Sequence, residues 1–169
     1  MEILIVRHGI AGARDAARWP DDRERPLTAG GARKFGRVAS RLRRLFPKVE
    51  RIWSSPLIRA WETAELLSGG NGGPAPEALA ALEPGSAPEA ALAVLGKQRG
   101  VQRAALVGHE PHLHELISHM VGGAPTRIQV EMKKGGAACV RFAGPVRAGQ
   151  GELCWLAPPK IILGKRSRK

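Results

Sequence analysis

The chain reads as an α/β protein, on three observations. An apolar run of strand length, Ile3-Leu4-Ile5-Val6, ends in Arg7, His8 and Gly9. Residues 32–46 carry apolar side chains at helical spacing, and two later apolar runs, 51–54 and 103–108, each lead into a further helical pattern. Strands that alternate with helices build a parallel sheet. In such a sheet ligands sit at the carboxyl ends of the strands, which is where the first strand delivers a guanidinium and an imidazole.

The 169 residues, 43% of them hydrophobic, suit one domain that buries roughly 70% of its unfolded surface. We expect that domain over residues 1–160, with a basic tail over 161–169. No apolar run has membrane-span length and no secretory signal pattern opens the chain, so the expectation is a cytoplasmic protein without a membrane partner. Cys139 and Cys154 lack metal-ligand spacing and read as small buried residues. The net charge of +12, from 27 basic and 15 acidic residues, favours anionic substrates or partners.

Taken in order, Gly9 allows a sharp turn after the first strand, and residues 10–27 form a polar, charged loop. Thr28 caps the first long helix, whose face of Phe35, Val38, Ala39, Leu42, Leu45 and Phe46 is buried and which Pro47 stops. Its basic face, Arg33 to Arg44, lacks interleaved aromatics, which argues for a solvated surface over a nucleic-acid site. Strand 51–54 turns at Ser55 into a helix with Pro56 at its first position and Arg59 in its first turn, near the anion-attracting helix start. Residues 78–82 suggest a short strand. Residues 86–98 suggest a helix capped by Ser86 with Glu89 three residues on. The strand at 103–108 delivers His109, and residues 111–121 form a helix. His112, His114 and His119 miss the spacing of a zinc-protease helix and read as surface or supporting residues, so no metal and no cofactor is expected. Segments 128–132, 137–142 and 151–156 lack intervening helices, which predicts antiparallel additions to the sheet.

Arg7 and His8, Ser55 and Arg59, and Gly108-His109-Glu110-Pro111 thus put two arginines and two histidines at strand ends or helix starts, a set suited to a tetrahedral dianion. Together with Arg25-Pro26-Leu27-Thr28 and Gly31, these motifs resemble the histidine phosphatase superfamily, in particular its SixA-type phosphohistidine phosphatase branch. The resemblance spans residues 1–159. It implies a three-layer sandwich: a central, mostly parallel mixed sheet with helices on both faces, as in phosphoglycerate mutase-like proteins.

The resemblance also implies a chemistry. Unprotonated His8 is the expected nucleophile, forming a phosphohistidine intermediate, with its other ring nitrogen held by a backbone carbonyl near Gly9. Arg7, Arg59 and a protonated or hydrogen-donating His109 would hold the phosphoryl oxygens, supported by Gly9 and Ser55. Many relatives present a carboxylic acid where Glu83 stands, although the SixA-type branch generally works without one. The expected substrate is a phosphohistidine protein, with a histidine phosphotransfer domain of a two-component relay as partner. A phosphatase of small phosphomonoesters using Glu83 is the alternative, and a non-catalytic polyanion-binding module a second.

Overall fold

A computed structural model describes residues 1–70 and 72–164. The strands are β1 (Glu2–Arg7), β2 (Arg51–Ser54), β3 (Pro76–Ala78), β4 (Arg103–Gly108), β5 (Ala137–Arg141) and β6 (Glu152–Ala157). The helices are α1 (Ala29–Leu45), α2 (Ile58–Ser68), α3 (Pro88–Gly96), α4 (His112–Gly122) and α5 (Pro159–Leu163). The six strands form one sheet in the order β3-β2-β4-β1-β5-β6. β3, β2, β4 and β1 run parallel, while β5 is antiparallel to β1 and β6 to β5. The expected mixed sheet is therefore present.

Because alternate strand residues face opposite ways, the apolar run of β1 feeds two cores. Ile3 and Ile5 pack with Leu106, Leu113, Leu116 and Leu92 under α3 and α4. Leu4 and Val6 pack with Phe35, Val38, Leu42 and Ala64 under α1 and α2. Helices on both faces complete the three-layer sandwich. Thr28 caps α1 as expected, its Oγ1 accepting from Gly31 N–H at 2.9 Å.

Local expectations fail where the pattern was short. Of the third strand expected over 78–82 only Ala78 lies in a strand, at the end of β3 (Pro76–Ala78), and Ala80–Leu82 instead forms one 3-10 turn that buries Leu82. An alanine-rich run of this length does not by itself choose between turn and strand. Ser86 does not cap α3; its hydroxyl donates to Ala80 O, and the helix begins at Pro88. Pro56 lies before α2, whose N-cap is Leu57. Residues 128–132 form no strand; the Ile128 N–H donates to Ser118 Oγ and the Met132 carbonyl accepts from Arg7, side-chain partners in place of a ladder. Gly9 takes no left-handed backbone; its lack of a side chain lets Leu27 and Phe35 approach. Cys139 is buried, but Cys154 is exposed on the edge strand β6. His112 and His119 are buried in α4 and not on the surface. The packed chain also runs past 160, since Ile162 of α5 is in the core; the rest of the expected tail, residues 165–169, lies outside the described residues.

Candidate active site

Three neighbouring parallel strands end together. β4 lies between β1 and β2, so the residues leaving these strands meet: His8 N–H donates to Gly108 O at 3.0 Å, and Ser55 N–H donates to Val107 O at 2.9 Å. The rings of His8 and His109 come to 5.1 Å between centroids. A cavity of about 360 Å³ opens here, lined among others by Arg7, His8, Arg59, His109, Glu110 and Lys134.

The tautomer of His8 follows from its neighbour. Nδ1 lies 2.7 Å from the Gly9 carbonyl, which can only accept, so Nδ1 carries the hydrogen and Nε2 keeps its lone pair. Burial lowers the His8 pKa to about 3, with Arg59, Arg7 and Lys134 adding to the shift and the Gly9 bond opposing it. His8 is thus neutral in the unliganded site. The carbonyl contact expected near Gly9 is the one observed.

Arg7 is anchored at Nη1 by Met132 O at 2.5 Å. Arg59 is almost fully buried and held by Asp22 twice, Nη1 to the backbone carbonyl at 2.7 Å and Nη2 to the carboxylate at 3.1 Å. Asp22 also binds Arg25 Nε at 2.7 Å, while Arg25 Nη1 donates to Gly12 O. These paired guanidinium contacts hold the Asp22 carboxyl below its ordinary range. Sequence reading placed Asp22 in a charged loop without distinguishing it from its neighbours, and named Arg25 in the Arg25-Pro26-Leu27-Thr28 motif without giving it a role. The missing signal is three-dimensional: 37 residues separate Asp22 from Arg59.

On the opposite histidine, His109 Nε2 lies 2.8 Å from Ser55 Oγ. Ser55 Oγ also accepts from Leu57 N–H at 3.4 Å, and its hydroxyl proton is free to go to Nε2, an arrangement in which the ring proton of His109 is on Nδ1. Burial, reinforced by His8 and Arg59, lowers the His109 pKa to about 2. Of the two forms expected for His109, the hydrogen-donating neutral one fits. Thr63 was a further residue without a sequence signal: its Oγ1 accepts from Gly9 N–H at 3.0 Å and donates to Arg59 O at 2.6 Å, tying the turn after β1 to α2.

Three buried nitrogens, Arg7 Nε, Arg59 Nε and His109 Nδ1, have no partner among the described residues. Buried polar groups are nearly always satisfied, and a tetrahedral anion offers the acceptors these lack. Glu83 falls elsewhere: its carboxylate is paired with Arg23, and it is not among the residues lining the cavity. Among the described residues no cluster of histidine, cysteine and acidic groups is arranged to hold a metal ion, and no helix is long and apolar enough to cross a membrane.

The sequence model of the histidine phosphatase superfamily (branch 1) matches residues 3–83. An uncharacterized protein of Picosynechococcus sp. is 37% identical over 167 residues, which cover 96% of this chain and 99% of that one. The chain belongs to the histidine phosphatase superfamily. The solved structure of the protein histidine phosphatase SixA, complexed with tungstate, is 26% identical with a TM-score of 0.80, covering 94% of this chain and 97% of that one. The SixA-type resemblance read from the sequence therefore holds. A phosphoserine phosphatase of Entamoeba histolytica in complex with 3-phosphoglyceric acid (16% identity, TM-score 0.67, 96% and 98% coverage) has the same fold. So does the α-ribazole phosphatase of Shigella flexneri (16%, 0.68, 89% and 96%). Membership of this superfamily assigns the chain to the phosphatases.

Proposed function

We propose that the chain hydrolyses phosphohistidine on a protein through a covalent phosphohistidine intermediate on His8. The observation that carries this reading is the pairing of a neutral, Nδ1-anchored His8 with three unpartnered buried nitrogens on residues lining the same cavity. Nε2 attacks phosphorus while Arg7, Arg59 and His109 Nδ1–H take the phosphoryl oxygens. Such charge-assisted bonds lower the barrier to the extent that they tighten as charge develops in the transition state. Water then cleaves the phosphorus–nitrogen bond and returns His8 to its starting form.

Two features favour a phosphoramidate substrate. Its leaving nitrogen can take a proton from solvent before the bond breaks, and the carboxyl expected to act as acid, Glu83, is paired with Arg23. Among the solved likenesses, SixA was captured with tungstate, a tetrahedral dianion of phosphate-like shape. The basic balance of the chain suits the acidic surface of a phosphorylated partner, for which a histidine phosphotransfer domain is our candidate.

The test is phosphate release from a phosphohistidine protein and from a phosphoserine peptide, with the parent chain and with His8→Ala. Release from phosphohistidine should be faster, and His8→Ala should abolish it together with acid-labile labelling of the enzyme. Faster release from the phosphoserine peptide would favour a general phosphomonoesterase, and labelling that persists in His8→Ala would remove the nucleophile.

A further inference from the structure

The cavity at the strand ends is lined by five arginine and lysine side chains and one carboxyl, Glu110, which is itself paired with His114 at 2.7 Å. Three of the five cations are held by the protein. Arg7 is fixed by the Met132 carbonyl, and Arg59 and Arg25 share Asp22. The other two, Arg14 and Lys134, are exposed and make no side-chain hydrogen bond or ion pair among the described residues. Their backbones, in contrast, are fixed. Gly135 N–H donates to the carbonyls of Arg7 at 3.1 Å and His8 at 2.9 Å, which ties the turn carrying Lys134 to the end of β1. Gly135 has φ of 73°, a backbone that favours glycine. In the loop after β1, Gly12 N–H donates to Pro26 O at 3.1 Å and Gly12 O accepts from Arg25 Nη1 at 2.8 Å, just before Arg14. Lys134 is close enough to His8, and Arg14 to Arg59, for their charges to bear on these groups. Like charges gathered this way repel until an anion stands among them. One phosphoryl group occupies Arg7, Arg59 and His109, and a cavity of about 360 Å³ has room beyond it.

We propose that Arg14 and Lys134 form a second anion subsite, through which the site also removes the terminal phosphoryl group of phosphoanhydride chains such as inorganic tripolyphosphate. The proposal rests on His8 being the nucleophile and on the phosphoryl contacts of Arg7, Arg59 and His109. The leaving group supplies the chemical match. An alkoxide needs a proton as it departs, and Glu83 is engaged by Arg23. A diphosphate departs as a stable anion and needs countercharge instead. As His8 Nε2 bonds to the terminal phosphorus, the bond from that phosphorus to the bridging oxygen breaks. Its electron pair stays on that oxygen, in a diphosphate facing Arg14 and Lys134. Water then attacks the phosphohistidine, the phosphorus–nitrogen pair returns to Nε2, and a proton of the water passes to solvent as orthophosphate leaves. Tripolyphosphate and water thus give diphosphate and orthophosphate.

Titration calorimetry of the full chain, without divalent metal, compares methylphosphonate, which fills one anion subsite, with methylenediphosphonate, which spans two. The diphosphonate should bind about tenfold or more tighter, and this preference should shrink to about twofold or less in the double variant Arg14→Gln, Lys134→Gln. Both side chains are exposed, so circular dichroism of the variant should match the parent. Equal affinities in the parent, or a preference that survives in the double variant, overturn the subsite. Turnover is read as orthophosphate released from tripolyphosphate in EDTA. Release by the parent that His8→Ala abolishes, and whose kcat/KM falls about tenfold or more in the double variant, is the expected result. A parent that binds the diphosphonate but leaves tripolyphosphate intact overturns the activity. Release from a phosphohistidine protein without release from tripolyphosphate sinks this proposal alone. Release from both that survives His8→Ala sinks the nucleophile and the proposal together.

Discussion

Thr63 shows how much of this site is held by a residue that touches neither histidine. Its side chain is fully buried and its hydroxyl satisfies the N–H of Gly9, the same residue whose carbonyl fixes the His8 ring. Thr63→Val keeps the volume but leaves that N–H without an acceptor, at a cost of about 1 to 3 kcal/mol. Urea unfolding should show a loss in that range, with a drop in turnover as the loop carrying His8 loosens; unchanged stability would mean that another group accepts the bond. At this scale the sequence was most readable where partners are neighbours in the chain. His8 and Gly9 are adjacent, so the ring's anchor could be anticipated. Asp22 with Arg59, Thr63 with Gly9 and Ser55 with His109 are long-range pairs, and nothing in residue type alone marks them. Arg23 claims Glu83 for the same reason: the contact spans 60 residues.

At the scale of elements, the start of α1 and the loop before it are locked by a close approach. A Cβ built on Gly31 would lie 2.0 Å from the Ile10 carbonyl oxygen, and that same oxygen accepts from Thr28 N–H at 2.9 Å. Gly31→Ala must therefore push residues 10–28 away from α1, and that segment includes Asp22 and Arg25. We expect a loss on the order of 1 to 3 kcal/mol, typical of overpacking, with a larger proportional fall in phosphatase activity. Thermal melting and steady-state kinetics check it, and full activity at reduced stability would uncouple the loop from the site. Elements with long periodic patterns were legible: α1 with its cap, and strands β1, β2 and β4. Residues 78–82 and 128–132 were not. Leu82 is buried through a turn, and 128–132 alternates in burial like a strand while its backbone serves Ser118 and Arg7.

For the whole molecule, the same burial that prepares the site makes it sensitive to acid. Burial lowers His8 from 6.5 to about 3 and His109 to about 2, and it also lowers His112, whose ring nitrogens have no partner. Unfolded chains take up protons on all three as pH falls through about 6.5, while in the folded chain His8 and His109 do not until far lower pH and His112 is shifted in the same direction. Stability from these residues is complete above that pH and is lost progressively below it. Two to three protons correspond to roughly 3 to 4 kcal/mol per pH unit, against a total on the order of 5 to 15. Chemical unfolding at pH 7, 6 and 5 should show this slope in the absence of anions. A flat profile would mean that the histidines are charged in the folded state.

The position of β4 gives the protein a built-in order of events. Arg7, His8, Ser55 and Arg59 all precede residue 60, yet β1 and β2 are not neighbours; the strand that joins them spans Arg103–Gly108. A chain emerging from the ribosome holds these four residues before β4 has been made, and the sheet order brings them together only once β4 lies between β1 and β2. A chain that stops short of residue 103 therefore lacks the strand on which these side chains converge.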